Sequence, residues 1–178
     1  MIYLFLANGF EEIEALTPVD ILRRAGKEVT TVGIGGRTVI GAHGIPVTAD
    51  IADAEFRDNA PEMIILPGGM PGTKNLDASE TVEKALSSAL ATGSYIAAIC
   101  AAPTILGKRG LLNGKHAVCF PGMEKELHGA LLSADRVVRD GNYITAAGMG
   151  VALPFSLALV EALCGKSCAD SLKLSVVG

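Results

Sequence analysis

Tryptophan is absent from this chain of 178 residues, and aromatic residues make up only 4% of it. Ala, Val, Ile and Leu therefore carry most of the apolar content, which is 49% of the sequence. Small apolar side chains, 21 glycines and 19% charged residues are typical of a compact α/β domain and exclude a disordered chain. The length is that of one ordinary domain, so we predict a single domain over residues 1–178.

Positive charge is also sparse. The formal net charge is −4, and the longest run of basic residues is the pair Arg23 and Arg24. Counterion release, which drives nucleic-acid binding, therefore has no source, and nucleic acid is not an expected partner. Two uncharged stretches, 85–107 and 141–160, are long enough for membrane spans, but polar residues, Gly and Pro interrupt both. We expect no association with a membrane.

Residues that bind metals or form disulfides are few. The cysteines are Cys100, Cys119, Cys164 and Cys168, and the histidines are His43, His116 and His128. Their spacing fits neither a disulfide framework nor a metal-ligand motif, so we predict no structural metal. The first twelve residues, MIYLFLANGFEE, have no basic segment before the apolar run and do not resemble a signal peptide. A cytoplasmic protein is expected.

Short apolar runs alternate with helical segments in the N-terminal half. The predicted strands are Ile2–Ala7, Val29–Ile34, Met63–Leu66 and Tyr95–Cys100. Continuous apolar runs suit parallel strands that are covered on both faces. Helices are predicted before Gly26 and over 79–91. Right-handed βαβ units then give a three-layer α/β sandwich, with a mostly parallel sheet and helices on both faces.

The remaining segments mix ribbons, helices and irregular chain. The predicted elements are an antiparallel ribbon over 38–49, a helix from 103 to about 112, a strand over 116–120, a short helix over 125–131, a hairpin of 136–139 with 143–147, and helices over 151–163 and 167–174. The hairpin turns at Asp140-Gly141-Asn142, a favourable turn sequence. The ribbon is expected near the sheet edge, hinged at Gly41 and Gly44.

Three predicted strands end in residues that can carry chemistry. The first runs into GFEEIE, the third into PGGMPG and the fourth into CAAP. In open parallel sheets, ligands bind at the carboxyl ends of the strands. We therefore expect these three segments to meet at one rim.

Cys100 stands where the fourth strand passes into a helix. Pro103 suits the first helical turn, and small residues on both sides permit the sharp turn of a nucleophile elbow. The N–H groups of Ala101 and Ala102 and the helix dipole are expected to lower the pKa of the thiol. The alternative is a structural cysteine, because free Cys is often buried as a small apolar residue.

Two neighbouring strand ends supply further candidates. Gly68 and Gly69 expose backbone N–H groups, which with that of Ala101 would form an oxyanion hole, unless the pair is only a Gly-rich turn. Glu14 belongs to an acidic helix start. If it is carried inward to Cys100, burial raises its pKa, and it acts either as a protonated donor to a thiolate or as a general base.

Other features have simpler interpretations. Glu11 and Glu12 are interpreted as solvated acidic residues, and His43 as a surface residue. Pro18 cannot donate a helical hydrogen bond, so a kink or restart of the helix is expected beside it. Gly148-Met149-Gly150 is a dinucleotide fingerprint without its third Gly, so we predict a tight turn and no nucleotide cofactor.

Several spaced motifs resemble one known family. They are GFEEIEA at 9–15, PVD at 18–20, RRAG at 23–26, LPGG at 66–69 and AAICAAP at 97–103. In this order they resemble the DJ-1/ThiJ/PfpI superfamily, and in particular the branch of the parkinsonism-associated DJ-1 protein and its bacterial relatives. The resemblance covers essentially the whole chain.

The resemblance implies a flavodoxin-like sandwich, usually a homodimer, with a reactive cysteine that oxidises readily to a sulfinic acid. The family's cysteine falls on Cys100 and its hydrogen-bonding glutamic acid on Glu14, with the N–H groups of Gly69 and Ala101 lining the site. Members are described as redox sensors, cofactor-free glyoxalases that convert methylglyoxal to lactate, deglycases, chaperones and proteases.

The chain departs from the family pattern at three positions near the cysteine. Proteases of the family have His directly after the nucleophile, where this chain has Ala101, so peptidase activity is not expected. A His that the DJ-1 branch often places near the cysteine is here Phe120. The usual Gly-Pro-Gly is Gly148-Met149-Gly150, which puts Met149 in the expected pocket wall with Gly68 and Phe120.

Three functional hypotheses remain open on the sequence. In the enzyme hypothesis, Cys100 attacks a small 2-oxoaldehyde, backbone N–H groups hold the oxyanion and Glu14 moves the proton. In the sensor hypothesis, peroxide oxidises the same thiol to a sulfinate with little turnover. In the third, the protein is a stress-linked dimeric chaperone that does not need the cysteine.

Overall fold

The computed structural model describes residues 1–57 and 59–177. The strands are β1 (Ile2–Leu6), β2 (Val29–Gly33), β3 (Thr38–Ile40), β4 (Pro46–Thr48), β5 (Ile51–Ala52), β6 (Met63–Leu66), β7 (Tyr95–Ile99), β8 (His116–Ala117), β9 (Leu131–Leu132), β10 (Val137–Asp140) and β11 (Tyr143–Ala146). The α-helices are α1 (Glu12–Arg24), α2 (Gly72–Asp77), α3 (Glu80–Thr92), α4 (Pro103–Lys108), α5 (Ala152–Cys164) and α6 (Lys166–Ser175). Short 3-10 turns cover Asp53–Glu55, Glu124–Glu126 and Met149–Val151.

Seven of these strands form the central sheet, in the order β10-β11-β7-β6-β1-β2-β5. All neighbours in the sheet are parallel except β10 and β11, which form an antiparallel hairpin. The predicted mostly parallel sheet is therefore confirmed. Since β1, β6 and β7 are adjacent and parallel, their carboxyl ends lie at the same edge.

The sheet separates two apolar cores, which is why its central strands β1, β6 and β7 are continuous apolar runs. Along β1, Ile2, Leu4 and Leu6 pack into one core with α1 and α5. Tyr3 and Phe5 point the other way, into a core shared with α3 and α4. Helices thus cover both faces, and the predicted three-layer sandwich is confirmed. No helix among residues 1–57 and 59–177 is long and apolar enough to cross a membrane.

Most predicted elements appear within one or two residues of their expected limits. The hairpin of β10 and β11, the ribbon of β3 and β4, and helices α3, α5 and α6 are confirmed. Helix α1 runs through Pro18 as one continuous helix, so the expected restart is wrong. Buried contacts of Ala15, Val19 and Leu22 on both sides of Pro18 hold this helix on the sheet.

The segment from 103 to 132 differs most from the prediction. Helix α4 ends at Lys108, because Gly110 and Gly114 turn the chain with φ of 69° and 70°. The predicted strand over 116–120 is reduced to β8, which pairs with β9 apart from the central sheet. Beyond β8, Val118 donates to the Thr145 hydroxyl at 3.0 Å, which ends the ladder. A 3-10 turn and β9 replace the predicted helix over 125–131.

Candidate active site

Cys100 and Glu14 meet at the carboxyl edge of the central sheet. Cys100 follows β7 directly, and Glu14 lies in the first turn of α1, the helix that follows β1. Gly68, just after β6, separates them. A Cβ at Gly68 would lie 2.6 Å from both Cys100 Cβ and Glu14 Oε2. The three strand ends singled out in the sequence therefore form one site, and only a glycine leaves room for it.

The backbone of Cys100 is held in an unusual conformation. Its φ is +65°, a region that costs a non-glycine residue about 1–3 kcal/mol and is often found at functional sites. Two backbone hydrogen bonds fix it there: the Cys100 N–H donates to Ala146 O at 2.8 Å, and the Phe120 N–H donates to Cys100 O at 2.7 Å. The sharp turn predicted for an elbow is therefore present, and the thiol is half-buried.

Glu14 is completely buried. Its Oε2 accepts a hydrogen bond from the Gly68 N–H at 2.9 Å. Burial and, to a smaller extent, the charge of Glu11 raise the pKa of Glu14 to about 7. Hydrogen bonds from Cys100, Gly68 and Met149 lower this pKa but do not outweigh the burial. A proton on the carboxyl group is thus readily gained and lost near neutral pH.

The pKa of Cys100 is also raised, which corrects the expectation of a lowered value. Burial, the charge of Glu14 and the hydrogen bond to its carboxylate raise the pKa of the thiol to about 12, although the N–H groups of Gly69 and Ala101 lower it. The helix dipole that was expected to lower this pKa lies farther away, since α4 begins three residues beyond Cys100. When Glu14 is protonated, its charge no longer opposes the thiolate.

The N–H groups of Gly69 and Ala101 lie near the Cys100 sulfur and lower the pKa of its thiol. Gly69 has a φ of +89°, and a Cβ there would lie 2.4 Å from the Glu11 nitrogen. Glycine is therefore required at this position as well. Two N–H groups that converge on a thiol can hold a negative charge on sulfur, or on an oxygen bonded to it or to its adduct.

A small cavity of about 270 Å³ opens directly over the sulfur. It is lined by Gly69, Met70, Cys100, Ala101, Phe120 and Met123. Phe120 therefore lies beside the thiol as predicted. Met149 lines a neighbouring pocket of about 490 Å³, which Phe120 also lines. Met70 and Met123 were missed in the sequence, because nothing in their local pattern distinguishes a cavity wall from a loop.

The first turn of α1 contains a second arrangement that the sequence did not reveal. Glu11 and Glu12 are buried, not solvated as expected. Glu12 accepts hydrogen bonds from the backbone N–H of His43 at 2.8 Å and from its ring at 2.9 Å. Burial raises the pKa of Glu12, but these hydrogen bonds outweigh it and the net shift is downward. Glu12 thus holds the β3–β4 ribbon on α1.

Gly41 is the one sequence signal that points to this ribbon contact. A Cβ at Gly41 would lie 2.2 Å from Glu12 Oε1, so the ribbon approaches the carboxylate only because a glycine stands there. Ligand atoms of Glu11, Glu12 and His43 lie within 4.8 Å of one another. Their oxygens already accept protein hydrogen bonds, with Glu11 Oε2 accepting the Glu14 N–H at 2.8 Å. The cluster therefore has a structural explanation.

The fold and the site together define a flavodoxin-like α/β sandwich protein with a cysteine and a buried glutamate at the carboxyl ends of parallel strands. The chain belongs to the DJ-1/PfpI family, whose model matches residues 1–162. It is 39% identical over 164 residues to the protein dj-1beta of Drosophila melanogaster, covering 90% of this chain and 88% of that protein. A Caenorhabditis elegans relative named a glutathione-independent glyoxalase is 32% identical over 163 residues, covering 91% and 87%.

Solved structures agree with this assignment. The oxidized DJ-1 of Toxoplasma gondii matches with a TM-score of 0.95 at 32% identity, covering 99% of this chain and 97% of that one. A DJ-1 superfamily protein from Salmonella typhimurium matches with a TM-score of 0.93 at 34% identity and the same coverage. The family predicted from the spaced motifs is therefore confirmed.

Substitution of Gly68 by alanine is expected to destabilise the protein by about 1–3 kcal/mol, because the new methyl group has no room between Cys100 and Glu14. Its Cβ would contact Cys100, Glu14 and the Ile99 carbonyl at 3.0 Å or less. Urea unfolding measures this change. Gly150→Ala is the matched control, since a Cβ there meets only the mobile end of Arg136 at 3.3 Å. Equal stability of the two variants would contradict the close packing described for Gly68.

Proposed function

We propose that this protein is a cofactor-free, cysteine-dependent enzyme of the glyoxalase or deglycase type, which converts small 2-oxoaldehydes such as methylglyoxal to 2-hydroxy acids such as lactate. The observation that carries this proposal is that Cys100, Glu14 and the backbone N–H groups of Gly69 and Ala101 meet around Gly68. Thiol, proton carrier and anion donors are the groups that such a rearrangement needs. The glyoxalase name of one relative supports the proposal.

The chemistry balances with these residues and water. Glu14 takes the proton of the Cys100 thiol as the sulfur attacks the aldehyde carbon, and the Gly69 and Ala101 N–H groups stabilise the oxyanion that forms. Glu14 then gives this proton to the oxyanion, which completes a hemithioacetal and leaves Glu14 as a carboxylate. Glu14 removes the proton from that carbon and returns it to the neighbouring carbonyl carbon, which leaves a 2-hydroxy thioester. Water then cleaves the thioester, releasing the hydroxy acid and the free thiol. The pKa of Glu14, about 7, suits a group that both takes and returns a proton.

A second candidate function is an oxidative-stress sensor or chaperone with little turnover. The same two N–H groups at the Cys100 sulfur favour it, because they would stabilise a sulfinate. Two equivalents of peroxide convert the thiol to the sulfinic acid and release two waters. The oxidized state of the Toxoplasma gondii neighbour is in keeping with such chemistry in a related protein.

The proposal is tested by incubating the purified protein with methylglyoxal and no added thiol or cofactor, and following lactate by NMR. If the protein is an enzyme, lactate should form in large molar excess over protein. A sensor predicts no lactate above the uncatalysed blank, together with stoichiometric oxidation of Cys100 by peroxide in peptide mass mapping. The absence of both reactions would remove both candidates and leave a role that is independent of the thiol.

We also propose that the protein is a homodimer that buries the start of α1 and the β3–β4 ribbon. Ile13 and Leu16 on α1 are 48% and 40% exposed, and Ile40 and Ile45 of the ribbon are 42% and 51% exposed. Hydrogen bonds from the Gly9 N–H to Ile40 O and from the Ala42 N–H to Phe10 O join the ribbon to the segment just before α1, so these apolar side chains lie on neighbouring parts of the surface. Such surfaces often mark protein interfaces.

The double variant Ile13→Glu with Leu16→Glu is expected to sediment as a monomer. The free-energy cost of burying two carboxylates per protomer in an apolar interface exceeds the free energy that holds the dimer together. Analytical ultracentrifugation at micromolar concentration measures the shift from the dimer of the unmodified protein. Leu90→Glu, at a position on α3 that is 43% exposed, should remain dimeric. A monomeric unmodified protein, or a dimer that persists in the double variant, would exclude this interface.

A further inference from the structure

The cavity over Cys100 offers a bound molecule almost no polar side chain. Apart from the thiol, its walls are two thioethers, a phenyl ring, a methyl group and glycine backbone, supplied by Met70, Met123, Phe120, Ala101 and Gly69. The polar groups of this wall, the Gly69 and Ala101 N–H groups, already point to the sulfur. The remaining wall can contact a ligand only through apolar atoms.

The apolar wall continues to the mouth of the cavity. Met70 is 46% exposed and Phe120 is 49% exposed, so a ligand that enters removes apolar surface from water. The Phe120 backbone is held by its hydrogen bond to Cys100 O at 2.7 Å, which keeps the ring beside the sulfur. The cavity volume, about 270 Å³, lies near the low end of small-molecule sites and suits a single ring.

Charged side chains are kept out of this cavity. Glu14 is buried behind the sulfur, and its negative charge repels an anionic substituent. Glu124, Asp135 and Arg136 line the neighbouring pocket that contains Met149. A carboxylate or phosphate on a substrate would therefore lose its hydration in the Cys100 cavity without gaining a partner, which is unfavourable.

We propose that this cavity selects 2-oxoaldehydes whose substituent is apolar and larger than methyl, aryl groups above all, and discriminates against anionic ones. The proposal rests on the attack of Cys100 on the aldehyde described above, and it defines the substituent that accompanies that aldehyde. Met70, Phe120 and Met123 are then specificity-determining residues. Methylglyoxal is the small, weakly selected member of the series.

The selectivity can be measured without turnover. Bromoacetone, 2-bromoacetophenone and bromopyruvate present the same bromomethyl ketone with a methyl, phenyl or carboxylate substituent, and all three alkylate thiols with loss of bromide. Rates at Cys100 are read by peptide mass mapping and divided by the rates with N-acetylcysteine. We expect this relative alkylation rate at Cys100 to be at least about tenfold higher for 2-bromoacetophenone than for bromoacetone. For bromopyruvate, it should be lower than for bromoacetone by a similar factor.

Variants locate the selectivity in the cavity. Met70→Gln and Met123→Gln keep side-chain length but add a polar amide, and each should reduce the phenyl-to-methyl ratio at least about threefold. Leu90→Gln is the control, because it adds the same amide at an exposed position on α3 that does not line the cavity, and it should keep the ratio of the unmodified protein. The proposal is overturned if Cys100 ranks the three reagents as the free thiol does, or if Leu90→Gln lowers the ratio as much as the two cavity variants.

Turnover separates this inference from the proposed function. If phenylglyoxal and methylglyoxal both give hydroxy acid, kcat/KM should favour phenylglyoxal by at least about tenfold, and equal values overturn the selectivity while the enzyme stands. If neither aldehyde is turned over but the alkylation ratios hold, the proposed enzyme fails and the apolar cavity stands as a binding site.

Discussion

Substitution of Cys100 by serine is expected to reduce the turnover of methylglyoxal at least about a thousandfold. A serine hydroxyl remains protonated at neutral pH and is a far weaker nucleophile than a thiolate. The hemiacetal that serine would form with the aldehyde therefore forms too slowly to support turnover. The same variant should lose the peroxide-dependent gain of two oxygen atoms at this position. Lactate by NMR and intact-protein mass measure the two effects.

The remaining thiols provide the controls for this result. Cys119 is buried and its pKa is raised to about 11 by burial and by Glu124, while Cys164 and Cys168 lie on α5 and α6, away from the site. Cys119→Ser, Cys164→Ser and Cys168→Ser should each keep turnover within about threefold of the unmodified protein, as substitutions outside a site usually do. Lactate formation that persists in Cys100→Ser would assign the chemistry to another group.

The parallel topology predicted that the segments carrying Cys100, Gly68 and Glu14 meet at one edge, whereas only the resemblance to the family paired Glu14 with Cys100. Apolar runs at 2–7, 63–66 and 95–100 indicate parallel strands, and the carboxyl ends of such strands share one edge. A parallel sheet was the one assumption needed to predict that the three segments meet.

Charge states and contacts between loops could not be predicted in the same way. The pKa of Cys100 depends on burial and on how closely a carboxylate approaches it, and neither quantity is encoded in the spacing of residues. Glu12 was misinterpreted as solvated because its partner, His43, lies 31 residues away on a ribbon. Such long-range contacts are established only when the chain has folded.

Substitution of Glu14 by glutamine is expected to remove a pH dependence of stability. The pKa of Glu14 is raised from 4.5 to about 7 in the folded protein, so this group favours folding fully below pH 4.5. As pH rises to about 7, the unfolded chain loses its proton first and that stabilisation is lost. At about 1.4 kcal/mol for each pKa unit, the loss is on the order of 3 kcal/mol.

Urea unfolding between pH 4 and 8 measures this loss. The unmodified protein should lose stability relative to Glu14→Gln over the window from pH 4.5 to 7, because the amide does not titrate. Glu80→Gln makes the same change at an exposed position in the first turn of α3, and its stability should follow that of the unmodified protein. Parallel curves for all three proteins would show that Glu14 does not carry a raised pKa.

The same variant should separate thiol reactivity from catalysis. Removing the carboxylate removes the charge and the hydrogen bond that raise the pKa of Cys100, so alkylation of Cys100 should begin at lower pH in Glu14→Gln. Turnover should nevertheless fall by about 10²- to 10⁴-fold, because no group remains to move the proton between the two carbon atoms. If alkylation instead begins at higher pH, Glu14 acts in the unmodified protein as a protonated donor that stabilises the thiolate. A more reactive thiol in a less active enzyme would identify Glu14 as the general base.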